Sequence, residues 1–246
     1  MCNYSLTIFN VKVNMLYYFI SFLVIGLVLA VRYNALTISG SIWAFICGLL
    51  AYIQFGWHIV LLLFVFFISG TVVSMWSYNL TKSKDIDKGK RSWQNVLGNG
   101  AVVILLALGV YFLEYKILLT YSCVASIAAA NSDTMASEIG QRLGSKFVFF
   151  PTFRKANRGV DGAISIEGTI AAFFGAVLIS GIFLFINQDV GFKGFLIITI
   201  SGFSGNLVDS ILGTYLESRG YLNKHLVNFF CTASASVFSG VLFILF

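Results

Sequence analysis

The chain has 246 residues and a formal net charge of +6; 58% of its residues are hydrophobic, only 11% are charged, and its mean hydropathy is +0.88. Soluble domains carry about 25% charged residues, so a water-soluble globular fold is excluded. The positive excess is read as loop anchoring at a bilayer, and nucleic acid is not an expected partner. The four cysteines, Cys2, Cys47, Cys123 and Cys231, form no CxxC pair, which leaves no zinc or disulfide framework.

A bilayer span needs about 20 mostly apolar residues. Runs of that kind predict helices over 14–31, 35–53, 57–80, 96–114, 117–138, 163–187, 192–214 and 226–246. The expected fold is therefore an all-α, polytopic helix bundle with about seven or eight transmembrane helices, one membrane domain over 1–246. The first run, 15–31, is long for a signal peptide and its start is only weakly basic, so it is read as a retained helix. The second is diluted by Gly40 and Gly48, and the fifth turns polar in its last two turns.

Lysine and arginine fall unevenly on the connections. One side holds Arg32, the group Lys82, Lys84, Lys88, Lys90 and Arg91, then Arg142, Lys146, Arg154, Lys155 and Arg158, and finally Arg219 and Lys224. The other side holds Lys12, Lys116 and Lys193. Positive-inside bias assigns the first group, with the long polar loops 81–95 and 139–162, to the cytosol. A multi-pass protein with its working face on the cytosolic side is expected.

Asp133 falls in the last turns of the fifth helix, Glu167 in the first turns of the sixth, and Asp209 in the last turns of the seventh. The alternating direction of these helices brings all three acids to one depth near the cytosolic boundary. Residues four apart share a helix face. Asp133 lies between Ala129 and Ser137, Glu167 between Ala163 and Ala171, and Asp209 between Gly205 and Gly213. Small-residue stripes are where membrane helices approach closely, so the acids are expected to face protein. They serve that packing within one chain or between two, which leaves a homodimer open. A carboxylate there must be paired or bind a cation. Mg²⁺, held by one or two carboxylates plus phosphates and waters, fits; a structural polar cluster is the alternative.

The 139–162 loop carries Arg142, Lys146, Arg154, Lys155 and Arg158, then Gly159 and Gly162 just before a helix start. Free N–H groups at a helix start bind anions, and cations, amides and carboxylates together suit a Mg²⁺–polyphosphate. A second cluster, 88–100, offers Lys90, Arg91, Gln94 and Asn99 to a phosphate or base; an interfacial segment anchored by Trp93 is the equal alternative. A third, 223–228, holds His225 and Asn228. No GxSxG, HExxH or Walker A motif is present, and His58 and His225 are the only histidines, so a histidine-dependent mechanism is not expected.

Four segments in order, KRSWQNVLGNG at 90–100, NSDTMASEIG at 131–140, GVDGAISIEGT at 159–169 and GFSGNLVDSILG at 202–213, with LVNFF at 226–230, resemble the membrane family typified by plant phytyl-phosphate kinase and transmembrane protein 19. The resemblance covers the chain from about Arg91 onward. It implies transfer of phosphate from a nucleoside triphosphate, CTP favoured, to an isoprenyl monophosphate of phytyl or geranylgeranyl kind. A looser likeness runs to dolichol kinase and CDP-diacylglycerol synthase. Asp133, Glu138 and Asp209 fall on motif positions, whereas Asp161 and Glu167 depart from the family pattern.

The resulting expectation is a Mg²⁺-dependent lipid-phosphate kinase. Asp133, Asp209 and Glu138 form its catalytic set, with Asp133, Asp209 and Glu167 as metal ligands. Asn131, Lys90, Arg91, Asn99, Arg142, Lys146, Arg154, Lys155, Arg158, Gly159, Gly162, Asn206 and Asn228 bind substrate and phosphate. The alternatives are a transporter of an anionic or isoprenoid solute and a CTP-dependent lipid cytidylyltransferase. Polar residues spread through the whole membrane depth are the mark of a transporter, and the outer half is read as apolar.

Overall fold

The computed structural model describes residues 2–81 and 90–246 and, within them, the side chains of 15–77 and 90–246. Lys82, Lys84, Lys88, Asp85 and Asp87 of the expected basic loop lie outside the described residues. Eight helices follow in chain order: α1 (Cys2–Arg32), α2 (Ile38–Phe55), α3 (Trp57–Thr81), α4 (Trp93–Gly109), α5 (Lys116–Leu143), α6 (Ile166–Ile186), α7 (Gly191–Leu212) and α8 (Lys224–Leu245). Among the described residues, six helical stretches are long and apolar enough to cross a membrane, in α1, α2, α3, α6, α7 and α8. α4 is apolar but shorter.

α5 matches the helix expected over 117–138 and is long enough to span, but is more polar than those six. Its place in the fold explains this. It packs on α3, α4, α6, α7 and α8, and residues 122–132 form an unbroken buried run. Its neighbours are protein on every side, so small and polar residues cost it little. Its contacts with α6 and α7 are close: a Cβ on Gly140 would come within 3.0 Å of the Gly168 Cα, and one on Gly202 of α7 would lie 2.7 Å from the Ala128 Cβ. The expected small-residue stripes are thus helix-crossing points.

The sidedness of the loops is visible in their contacts. Arg91 N–H donates to the Ala35 carbonyl at 2.9 Å, and Thr37 N–H donates to the Arg91 carbonyl at 3.2 Å. This joins the α1–α2 connection to the start of α4. Gly98 of α4 rests on the backbone of His225 at the start of α8. At the other end, the Tyr121 hydroxyl donates to the Val190 carbonyl at 3.3 Å, joining the start of α5 to the α6–α7 connection.

The 139–162 segment departs from the expected loop. α5 continues to Leu143, and three short strands follow: β1 (Phe147–Phe149), β2 (Arg154–Ala156) and β3 (Ala163–Ile164), ordered β2-β1-β3 and antiparallel. Strands this brief show no readable alternation. Ala163 and Ile164, expected in the sixth helix, instead pair with Phe149 and Val148. α6 begins after its N-cap Ser165, whose Oγ accepts from Gly168 N–H at 3.1 Å.

The half of the bundle away from the loops is less apolar than expected. Ser126, Ser180, Thr199 and Thr232 are buried there or at mid-depth. Their hydroxyls turn back onto carbonyls of their own helices, and Ser180 and Thr199 also bond each other at 2.7 Å.

Candidate functional site

At the loop-rich end a cavity of about 120 Å³ opens between α5, α6, α7 and α8. α5 lines it with Asp133, Ala136, Ser137, Gly140 and Gln141, spaced as a single helix face. α6 contributes Gly168 and Thr169 beside the Ser165 cap; α7 contributes Asn206, Asp209 and Ser210; and α8 contributes Lys224 and Asn228. The remaining wall is the 159–164 segment with Phe147 and Glu217. Glu217 sits in a π-helical turn, Gly213–Glu217, that continues α7.

Gly162 locks that wall. Its φ is +77°, in the left-handed region, and an added Cβ would lie 2.7 Å from the Ser210 carbonyl and overlap the Thr214 backbone. Gly213 returns the contact: its Cβ would meet Gly162 N at 2.7 Å. The two glycines let the loop backbone lie directly on the end of α7. Gly159 also has positive φ, +79°, with nothing within 4 Å of an added Cβ.

The chemistry centres on Asp133 and Asp209. Their carboxylates lie within hydrogen-bonding reach of each other, with Lys224 close enough to act on both. Asp209 Oδ1 is buried and has no hydrogen-bond donor among the described residues. Two facing carboxylates and an orphaned oxygen are costly without a cation. The nearby amides of Asn206 and Asn228, both buried, add oxygen donors. This hard-oxygen set fits Mg²⁺.

Of the sequence-predicted residues, Asp133, Asp209, Gly159, Gly162, Asn206 and Asn228 line this cavity. Several others do not. Glu167 faces away: its Oε1 accepts from Ser145 N–H at 3.1 Å and from the Ser145 hydroxyl at 2.9 Å, tying α6 to the end of α5. Among the described residues, no group of three or more Asp, Glu, His or Cys converges as a metal site. The expected Asp133–Asp209–Glu167 trio is therefore reduced to the aspartate pair.

Asn131 and Glu138 lie on the opposite face of α5, against α3. The Ser69 hydroxyl donates to Asn131 Oδ1 at 2.7 Å, and Asn131 Nδ2 donates to the Gly175 carbonyl at 2.8 Å. Asn131 is thus a brace between three helices. Glu138 accepts from the Ser74 hydroxyl at 2.7 Å. Arg158 Nη2 donates to the Gly144 carbonyl at 2.7 Å, closing the end of α5, and its guanidinium lies 5.6 Å from the Phe147 ring centre. Arg142, Lys146, Arg154, Lys155 and Lys90 are not among the lining residues, and the last four are exposed. Arg91 and Asn99 border a second cavity, among α1–α4.

Lys224, expected as a loop anchor, lines the site, and so does Glu217. Ser137, Gln141 and Ser210 were also missed. The available signal was helical spacing from Asp133, since Ser137 and Gln141 follow it at four and eight residues; Ser210 adjoins Asp209 and carries no such signal.

The family model described as integral membrane protein DUF92 matches residues 20–240. An uncharacterised membrane protein of Methanocaldococcus jannaschii is 38% identical over 196 residues, covering 79% of this chain and 80% of the relative. An uncharacterised membrane protein of Synechocystis is 29% identical over 195 residues, covering 75% and 74%. Protein VTE6, chloroplastic, of Arabidopsis thaliana is 28% identical over 205 residues, covering 79% of this chain and 61% of the relative. No solved structure matches the chain significantly.

Proposed function

The chain belongs to the DUF92 family of integral membrane proteins, and from that premise we propose that it is a Mg²⁺-dependent kinase acting on an isoprenyl monophosphate. The observation that carries this reading is the facing pair Asp133 and Asp209, with one oxygen orphaned, in a polar cavity at the loop-rich end. The motif resemblance to plant phytyl-phosphate kinase supports the substrate class. CTP is the favoured donor by that resemblance, and the cytosol is the proposed side by the positive-inside pattern.

Asp133 and Asp209 would hold Mg²⁺, which supplies charge neutralisation on the donor phosphates. Lys224 stands at the cavity mouth to meet phosphate charge. Backbone N–H groups at the start of α6 offer further anion contacts. The acceptor is a phosphate monoester, whose second pKa is about 6. Its oxygen is already ionised at neutral pH, so no base is needed. That oxygen attacks the terminal phosphorus of the donor. The new P–O bond makes a prenyl diphosphate, and the nucleoside diphosphate leaves with the electrons of the broken bond. Positioning and electrostatics are sufficient catalysts for such a step.

The test is incubation of purified protein in liposomes with Mg²⁺, each nucleoside triphosphate in turn, and phytyl or geranylgeranyl monophosphate, read by mass spectrometry. A prenyl diphosphate from wild type but not from Asp209→Asn is the expected result. A cytidylylated lipid would replace the kinase by a nucleotidyl transfer. No product from folded protein would reject both.

A further inference from the structure

The second cavity lies in the other half of the bundle, between α1, α2, α3 and α4, and measures about 450 Å³. That is within the roughly 300–1,000 Å³ of small-molecule sites. Its walls are almost wholly apolar, and its polar residues are Arg91, Asn95 and Asn99. These belong to the start of α4, at the loop-rich end. The residues of α3 that border it run from Trp57, at the far end, to Phe67. Ten residues of helix rise about 15 Å, so the cavity runs deep along the membrane normal from a polar end into hydrocarbon.

Arg91 is held firmly at that end. Its backbone is paired with Ala35 and Thr37, and its guanidinium carbon lies 5.0 and 5.7 Å from the ring centres of Phe66 and Phe67. Arg91, which also senses the Glu138 carboxylate of α5, places a cation at the end of an apolar chamber, complementary to a lipid with an anionic head. Arginine also matches a phosphate monoester in bidentate fashion. The polar end is also near the aspartate site. Gly98 of α4, between Asn95 and Asn99, packs against the Asn228 side chain, and Asn228 lines the aspartate cavity. The two cavities are one helix layer apart, roughly 10 Å.

We propose that the α1–α4 cavity is the binding site for the hydrocarbon chain of an isoprenyl monophosphate, whose phosphate leaves the chamber past Arg91, Asn95 and Asn99 toward the aspartate site. This rests on the kinase reading for the identity of the lipid, and it separates the molecule into a chain-binding half and a phosphate-transfer half. Gly26 of α1 supplies the means to block the chamber. It lines the cavity, and nothing lies within 4 Å of a Cβ added there. A Phe at 26 enters open space, and removing a helix-interior glycine favours the helix.

The experiment uses the full chain in liposomes with a geranylgeranyl monophosphate that bears a terminal diazirine, and mass spectrometry to locate the crosslinks. Labelling on α1 and α3 peptides, competed by unlabelled geranylgeranyl monophosphate and reduced at least tenfold in Gly26→Phe, is the expected outcome. The variant must melt with wild type, and Gly26→Ala must label as wild type does. Labels confined to α6–α8 would overturn the site. So would labelling competed equally well by phosphatidylglycerol, which would make the chamber a berth for bilayer lipid only. Labelling needs no turnover. Crosslinks in α1 and α3 without diphosphate formation would therefore keep this site and reject the kinase.

Discussion

Asp133 of α5 and Asp209 of α7 present their carboxylates to each other within hydrogen-bonding reach, while the buried Oδ1 of Asp209 receives no donor. Two acids this close cannot both be ionised without a counter-charge, and a divalent cation would supply it. Binding at a hundredfold excess over Kd stabilises the folded state by about 2.7 kcal/mol. Mg²⁺ is therefore expected to raise the thermal midpoint of wild type by about 5 °C. Asp209→Asn removes one charge and should lose that shift together with activity, yet melt no lower than wild type without Mg²⁺. Fluorescence melting with and without Mg²⁺ checks this. An undiminished Mg²⁺ shift in the variant would contradict the metal assignment.

Glu167 provides the contrast. Its carboxylate is bonded to Ser145 and lies outside the cavity lining. Glu167→Gln is expected to keep the Mg²⁺-dependent midpoint shift and most activity, melting within about 2 °C of wild type. A Mg²⁺ response lost in this variant, as in Asp209→Asn, would restore the three-carboxylate site and refute the two-aspartate one.

Asn131 is two residues from Asp133 and does a different job. Replacing it with Leu leaves the Ser69 hydroxyl and the Gly175 carbonyl without the amide they share. Unsatisfied buried groups cost about 1–3 kcal/mol. The expected variant is destabilised by that order, with an unchanged KM for nucleotide in the protein that remains folded. A raised KM with unchanged melting would instead make Asn131 a ligand-binding residue.

These contrasts show what the sequence disclosed and what it did not. Apolar runs located the lipid-facing helices, because lipid contact demands them, and α5 was found through the apolar first half of its run although its second half is polar and enclosed by protein. Depth alone brought Asp133, Asp209 and Glu167 together, but depth carries no direction. At about 100° per residue, Asn131 and Glu138 point well away from Asp133, toward Ser69 and Ser74 of α3. On α6, Ser165, Gly168 and Thr169 face the cavity and Glu167 does not. Glu217 and Lys224 were hidden for another reason. They flank a short loop, and only the fold shows that the π-helical end of α7 and the start of α8 converge on one site. The small sheet escaped because its strands are two or three residues long.

Gly162 and Gly159 separate backbone strain from close packing. Both have positive φ, near +77° and +79°, so alanine costs about 1–2 kcal/mol at either. Only Gly162 also touches α7, where the new Cβ would lie 2.7 Å from the Ser210 carbonyl. Gly162→Ala is expected to shift the loop, lower the midpoint further and reduce activity more than tenfold, whereas Gly159→Ala stays within a few-fold of wild type. Equal effects of the two substitutions, measured by melting and product formation, would show that loop packing on α7 does not shape the site.

Lys224 makes a prediction whose two halves have opposite signs. It is exposed at the start of α8, lines the cavity, and acts electrostatically on Asp133, Asp209 and Glu217. Its charge opposes a cation bound to the aspartates and attracts the phosphates of a nucleotide. In Lys224→Gln the Mg²⁺-induced midpoint shift without nucleotide should therefore be equal or larger, while KM for the nucleoside triphosphate rises about tenfold, a loss of about 1.4 kcal/mol. The KM difference should shrink as salt is raised, since an exposed cation is screened over about 8 Å at 0.15 M. A variant with an unchanged KM at low salt would remove Lys224 from the phosphate site. One that loses the Mg²⁺ shift along with nucleotide affinity would show that Lys224 acts by holding the aspartates in place.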